Sequence, residues 1–345
     1  MPDPDVKALI DAVESGSIAA LEQLMGSGVD LNITFNDVKR PPFDRIWGGG
    51  QPWRWRYEGR GRPLLHLAVL RRQPDVVAAL LRHGVDANKP DDGDLTALVI
   101  AVLTGQVEIV RMLLGADADP GVWYQGYPLL TTLATHTMRD ATAIALIGLM
   151  TAHGADVDVR DNAGGLTPLM RAARAGRVRV VRALLEAGAQ PNLMSSGCRG
   201  LPAFTPLTWA FEERIFGYGR DAAAYIATAE ALVEAGARPE IGLNPLMLAA
   251  DMGRSKWVRL ALRYGLPVDS SLPDGRTALH LAAANGYGTV IRILLAAGAK
   301  STVRDAGGRT PLDAALRRSP SEYCLVTPDF RAAIRALGGD PGPAA

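Results

Sequence analysis

Five histidines, two cysteines and one acidic turn are the side chains in this sequence that could support acid–base, nucleophilic or metal chemistry. Their spacing fits none of the arrangements that such chemistry needs. His66, His83, His136, His153 and His280 form no His-Glu-x-x-His pair, and no Gly-x-Ser-x-Gly elbow is present. Cys198 and Cys324 cannot build a disulfide framework or a zinc site by themselves, and two free thiols in a reducing compartment are expected. Asp91-Asp92-Gly93-Asp94 lacks the spacing and distal Glu of a calcium loop and reads as a turn. Gly48-Gly49-Gly50 lacks the Lys-Ser/Thr of a phosphate loop. The sequence therefore assigns no catalytic residue, no cofactor and no metal.

The chemistry that remains is recognition. The segment Ile33 to Arg62 holds Trp47, Trp53 and Trp55 with Phe35, Phe43 and Tyr57. Its cations are Lys39, Arg40, Arg45, Arg54, Arg56, Arg60 and Arg62, against Asp37, Asp44 and Glu58. Trp53-Arg54-Trp55-Arg56-Tyr57 alternates strictly, so a strand there places aromatics on one face and arginines on the other. Gly48 to Pro52 can turn that strand back onto Phe43 to Trp47. Trp, Tyr and Arg dominate interface hot spots. A purely structural role, with the tryptophans sealing the first repeats, competes with partner binding, and both can hold at once. A second aromatic group is Trp123, Tyr124 and Tyr127, and a third enlarged connection, Ser195 to Phe204, carries Arg199.

The elements that position these residues follow from an internal period. Thr167-Pro168-Leu169-Met170-Arg171-Ala172-Ala173 recurs as Asn244-Pro245-Leu246-Met247-Leu248-Ala249-Ala250 and as Thr277-Ala278-Leu279-His280-Leu281-Ala282-Ala283. Each copy is followed by an apolar run of helical period that ends in Gly-Ala or a close variant. Thr before Pro-Leu suits an N-cap followed by Pro at the first helical position. Paired Ala lets two helices approach closely, and Gly allows the turn and the stop. These segments resemble the ankyrin repeat, with its T-P-L-H-x-A-A helix start and L-L-x-x-G-A-D-x-N exit. The resemblance implies an all-α repeat solenoid of about nine helix-turn-helix units with short β-hairpin connections. It also implies that His66 and His280 make structural hydrogen bonds.

The marker leucines fall at Leu9, Leu65, Leu98, Leu129, Leu169, Leu207, Leu246, Leu279 and Leu312. One array over residues 1–338 and a frayed tail over 339–345 are expected. Surplus residues mark insertions at 33–62 and 195–203 in the connections, and at 136–143 and 212–222 between paired helices. Trp209 and Trp257 lie inside repeats, and at least one should be core.

Composition limits the remaining function classes. Lys+Arg at 37 against Asp+Glu at 36 gives no general attraction to nucleic acid or anionic membrane. No uninterrupted apolar run is long enough for a membrane span, and the acidic start is not that of a signal peptide. Only five of the 37 cations are Lys, which hints at a GC-rich bacterial genome. The expectation is a cytoplasmic, monomeric, non-enzymatic binding protein for one folded partner with an acidic surface patch. Trp47, Trp53, Arg54, Trp55, Arg56, Tyr57, Trp123, Tyr124, Tyr127 and Arg199 are the expected contacts. A partner-sequestering or immunity-like inhibitor is favoured over a scaffold or a host-directed effector. An enzyme with its site in the 33–62 insertion is a remote alternative, because no acid, base or nucleophile set is assembled there.

Overall fold

A computed structural model describes residues 4–26, 28–37, 59–135, 138–196, 204–211, 222–238, 244–317 and 328–339. Eighteen helices and four short strands are present among them. The helices form nine pairs in chain order: α1 (Pro4–Ser15) with α2 (Ile18–Gly26), α3 (Leu64–Leu70) with α4 (Pro74–Arg82), and α5 (Ala97–Leu103) with α6 (Val107–Gly115). Next come α7 (Leu129–Thr135) with α8 (Asp140–Ala152), α9 (Pro168–Arg174) with α10 (Val178–Glu186), and α11 (Pro206–Phe211) with α12 (Ala222–Glu234). The last three are α13 (Pro245–Asp251) with α14 (Ser255–Arg263), α15 (Ala278–Ala284) with α16 (Gly288–Ala296), and α17 (Pro311–Leu316) with α18 (Pro328–Ala336). The chain divides into two compact units, residues 1–163 with 186–189 and residues 164–185 with 190–345. The expected helix–turn–helix over Thr167–Gly188 is α9 and α10.

The local chemistry of the repeat sets the helix starts. Thr96, Thr167 and Thr205 each accept a backbone N–H three residues on, from Val99, Met170 and Thr208. Asn244 takes this role for α13. Thr310 and Asp313 exchange bonds as a capping box on α17. The helices then bury their apolar stripes against neighbouring pairs: Leu98, Val110, Leu113 and Leu133 in the first unit, Leu169, Leu184, Leu246 and Leu294 in the second.

Three helices differ from the sequence expectation. In seven of the first helices from α3 onward, the marker leucine is the second helical residue, as Leu65, Leu98 and Leu169 are. Helix α7 begins at Leu129, directly after Pro128, so Leu130 fills that slot and the expected register was one residue early. The surplus expected between paired helices is in part helical. Both α8 and α12 run 13 residues where α10, α14 and α16 run nine. The added starts, Asp140-Ala141-Thr142 and Ala222-Ala223-Ala224, contain no Gly or Pro to stop a helix.

Two of the connections are each locked by one carboxylate. Asp91 Oδ1 accepts the N–H groups of Gly93 (2.9 Å) and Leu95 (3.0 Å), so the acidic quartet is a turn, as its spacing indicated. Asp305 does the same for Gly307 and Arg309 and also holds the Arg309 guanidinium at 2.7 Å. That side-chain bond, with the backbone N–H donors, holds the Asp305 carboxyl down at about 2. Successive connections are joined by Asn88, whose side chain accepts from Asp119 N–H (2.7 Å) and donates to the Asp117 carbonyl (2.8 Å). Asn32 accepts from Asp86 N–H in the same way, and Asn192 from Arg238 N–H.

Asp94 and Asp117 sit at φ of 58°, where the other repeats place Gly165, Gly275 and Gly308, or Gly84, Gly154 and Gly265. An L-residue there costs about 1 kcal/mol relative to Gly, somewhat less for Asp. The double variant D94G/D117G is therefore expected to be more stable by about 1 kcal/mol, read as a raised urea midpoint with an unchanged denaturant slope. Unchanged or lowered stability would show that the two carboxylates hold their turns together.

Candidate functional site

The 33–62 insertion emerges from a two-stranded antiparallel ladder, β1 (Thr34–Asp37) with β2 (Gly59–Pro63), paired as Thr34↔Pro63, Phe35↔Arg62 and Asp37↔Gly59. Pairing at Asp37↔Gly59 brings the chain back to its point of departure. Strand β2 runs directly into α3 and lies against the next connection, where a side chain at Gly61 would collide with the Asp92 carboxylate. Trp47, Trp53, Arg54, Trp55, Arg56 and Tyr57, together with the expected strands over 43–47 and 53–57, lie outside the described residues. So do Arg199 and Cys198, Cys324, and most of the 195–203 and 212–222 insertions.

One cation of the insertion is corrected. Arg62 belongs to the expected cations of the finger, but its side chain is 1% exposed and is not available to a partner.

The second aromatic group forms a tight hairpin. Strands β3 (Trp123–Tyr124) and β4 (Tyr127–Pro128) pair across Gln125 and Gly126, which hold φ of 55° and 80°. Two positive φ values at the centre of a two-residue loop are those of a type I′ turn. Trp123 is 42% exposed, while Tyr124 and Tyr127 are half-buried. Burial raises the Tyr124 phenol above its ordinary range. The carboxylates of Asp92, Asp94, Asp117 and Asp119 are exposed on the connections that Asn88 ties to this hairpin.

The histidines do the structural work the repeat implies. His280 Nε2 bonds the Arg309 carbonyl of the next connection (2.9 Å), while its Nδ1 accepts from Thr277 N–H (3.2 Å) and pairs with the Thr277 hydroxyl. His66 Nε2 reaches the Leu95 carbonyl (2.8 Å). Its Nδ1 has no partner among the described residues, because Pro63 stands at the cap with neither N–H nor hydroxyl. His83 and His153 bond back to carbonyls four residues earlier, at the ends of α4 and α8. No group of three or more His, Cys, Asp or Glu that could hold a metal occurs among the described residues.

Both repeat tryptophans are core. Trp257 is 3% exposed and packs on Phe211 (ring centroids 4.6 Å) and Tyr225 (6.5 Å). Trp209 meets Phe204 edge-on at 4.9 Å within a cluster that includes Leu166 and Met170. The Arg174 guanidinium lies over the Trp209 ring at 5.0 Å. Sequence reading missed this pairing, although Arg171 and Arg174 at i, i+3 signal a shared helix face.

Nine consecutive helix pairs, with an aromatic hairpin in one connection, make a repeat solenoid. The model for ankyrin repeats matches residues 9–122, 137–241, 220–305 and 246–325. This chain belongs to the ankyrin-repeat family, whose repeats are protein–protein interaction modules and are typically not enzymes. It is 33% identical over 149 residues to ankyrin repeat protein nuc-2 of Neurospora crassa, covering 43% of this chain and 13% of that protein. It is 34% identical over 197 residues to human ankyrin repeat domain-containing protein 63, covering 51% and 48%. It is 26% identical over 248 residues to the mouse B-cell lymphoma 3 protein homolog, covering 72% and 45%. The chain thus spans less than half the length of each of these curated relatives. No described helix is long and apolar enough to cross a membrane.

Proposed function

We propose that this chain sequesters or inhibits one folded protein partner, in the manner of an immunity protein, through its connections and the concave first-helix surface of a single array over residues 1–338. The observation that carries this reading is Trp123, an exposed indole in the strand of a tight hairpin. A large apolar ring fixed in solvent gains most from being covered. Trp47, Trp53, Trp55 and Tyr57 supply further apolar contact, and Arg54, Arg56 and Arg199 meet an acidic patch on the partner. The chain is monomeric when free and works in the cytoplasm of a bacterium. No cofactor, metal, membrane or nucleic acid takes part.

The test is capture of the native partner, followed by affinity and partner-activity measurements with two variants. Deleting residues 38–58 with a short Gly-Ser bridge across the Asp37↔Gly59 pair should leave circular dichroism and melting unchanged. Affinity should fall about thirtyfold or more, the effect of losing at least one central tryptophan. W123A should weaken binding independently. Full affinity in the deletion would make the insertion a cover for the first repeats and leave the Trp123 hairpin as the principal contact.

A second reading, a scaffold or host-directed effector that bridges two proteins, is favoured by one observation. Residues 1–163 carry 15 Lys+Arg against 21 Asp+Glu, and residues 164–345 carry 22 against 15. Halves of opposite sign suit partners of opposite charge. Two captured proteins bound at once, one lost with each half's variants, would select this reading.

A further inference from the structure

The turns that follow α13 and α15 line a surface cavity of about 240 Å³, walled by Asp251, Met252, Arg254, Asn285 and Tyr287. This volume falls below the ~300–1,000 Å³ of small-molecule and cofactor sites, so it suits a single side chain. The same turn recurs along the chain, marked each time by a positive φ, as at Gly16 (69°), Arg72 (55°), Gly105 (68°), Gly253 (69°) and Gly286 (74°). Glu14 and Asp251 each stand two residues before such a turn residue, at the end of a first helix. Arg71 and Asn285 each stand one residue before the turn residue of the following repeat. In the earlier pair the Arg71 guanidinium binds the Glu14 carboxylate at 2.6 Å. In the later pair the Asn285 amide takes that place, donating to Asp251 Oδ1 (2.9 Å) and to the Asp251 and Leu281 carbonyls (3.2 and 3.1 Å). The amide orients the carboxylate but brings no positive charge to it.

The slot after the turn residue departs from the repeat as well. Gln106 follows Gly105, and its side-chain amide crosses to the Val69 carbonyl of the preceding repeat (3.0 Å). Tyr287 occupies that slot after Gly286, and its ring packs against Gly253, where a Cβ would come to 2.6 Å from it. A phenol has no amide with which to make the same crossing, and Tyr287 is 36% exposed. Carboxylate, ring and cavity therefore coincide with two departures in one pair of repeats, Asn where Arg71 stands and Tyr where Gln106 stands.

We infer that this cavity receives an arginine side chain of a protein partner, whose guanidinium takes at Asp251 the place that Arg71 holds at Glu14. The inference rests on the protein-binding reading above and adds one basic residue of the partner, outside its acidic patch. The chain itself supplies the occupant's chemistry, because a carboxylate in this slot meets a guanidinium in the earlier pair. A planar, weakly hydrated guanidinium also suits the exposed ring of Tyr287. A compact metal ion would find a single carboxylate there, with the Arg254 cation lining the same cavity.

The probe is the peptide acetyl-Gly-Arg-Gly-amide, titrated into the intact chain at low ionic strength and followed by ligand-detected NMR. The citrulline peptide, its uncharged isostere, serves as comparison. The arginine peptide should bind, the citrulline peptide should not, and added salt should weaken the complex. D251N keeps an oxygen for the Asn285 amide, so its melting should stay that of the native chain while the peptide binds at least about fivefold more weakly. N285R supplies the guanidinium from within and should exclude the peptide without loss of stability. R254Q should bind the peptide at least as tightly as the native chain. Native affinity in D251N or N285R, equal binding of the citrulline peptide, or a loss in R254Q overturns the inference. If the captured native partner binds D251N and N285R as it binds the native chain, yet loses affinity for the 38–58 deletion, the protein-binding reading stands and this site falls.

Discussion

Replacing Trp257 by alanine is expected to cost about 3–5 kcal/mol of folding free energy, the largest single-residue effect anticipated in this protein. The indole is 3% exposed on α14, and its ring meets Phe211 of α11 and Tyr225 of α12. Three helices from two consecutive pairs thus converge on one side chain. Truncation removes the transfer energy of the ring and leaves a cavity that these rigid neighbours cannot close. Repeats hold only their immediate neighbours, so the loss falls on the second compact unit. Urea unfolding of W257A should show a lowered midpoint. Iodide should fail to quench the remaining indole in a single-tryptophan variant that keeps Trp257. Free quenching, or a loss below about 1 kcal/mol, would mean that Trp257 is not the centre of this cluster.

The second large effect is a loss of stability in acid that originates at His66. Its imidazole is fully buried and donates Nε2–H to the Leu95 carbonyl, so the lone pair of Nδ1 faces a core without a partner for it. Protonating Nδ1 would place a cation there. Burial, opposed by the Leu95 bond and by Asp91 and reinforced by the nearby Arg62 cation, lowers the group from 6.5 to about 4. The sign follows directly. The unfolded chain takes up a proton near pH 6.5 and the folded chain only near 4, so each step down through that window favours unfolding. The contribution is complete above pH 6.5 and lost as pH falls to about 4, to a total of about 3 kcal/mol. H66V should flatten this dependence, since Val99 fills the same third position of α5 in the next repeat. Parallel pH profiles of wild type and H66V would refute the assignment.

These two residues differ in how far the sequence revealed them. His66 matched a repeat position, so its structural role was legible. Its orphaned nitrogen followed only from seeing Pro63 occupy the place where Thr277 serves His280. Trp257 fell on the apolar stripe of a second helix and was expected in the core. That Phe211 and Tyr225 would be its neighbours was not readable from periodicity.

The sequence by itself determined the repeat class, the nine helix pairs and the helix caps. The turn at Asp91 was equally legible. All of these depend on side chains that act on backbone within a few residues, so the period writes them down again in each copy. Tertiary structure alone decided that Arg62 turns inward, that α7 starts one residue late and that α8 and α12 gain a turn. It also decided that the Arg174 guanidinium comes to 5.0 Å from the Trp209 ring centroid. Each of these depends on strand register or on contacts between elements far apart in the chain. A single-residue slip in pairing exchanges the two faces of a strand without changing its composition. Residue types and spacing near one another cannot record that choice, because the energy that makes it comes from burial against a different repeat.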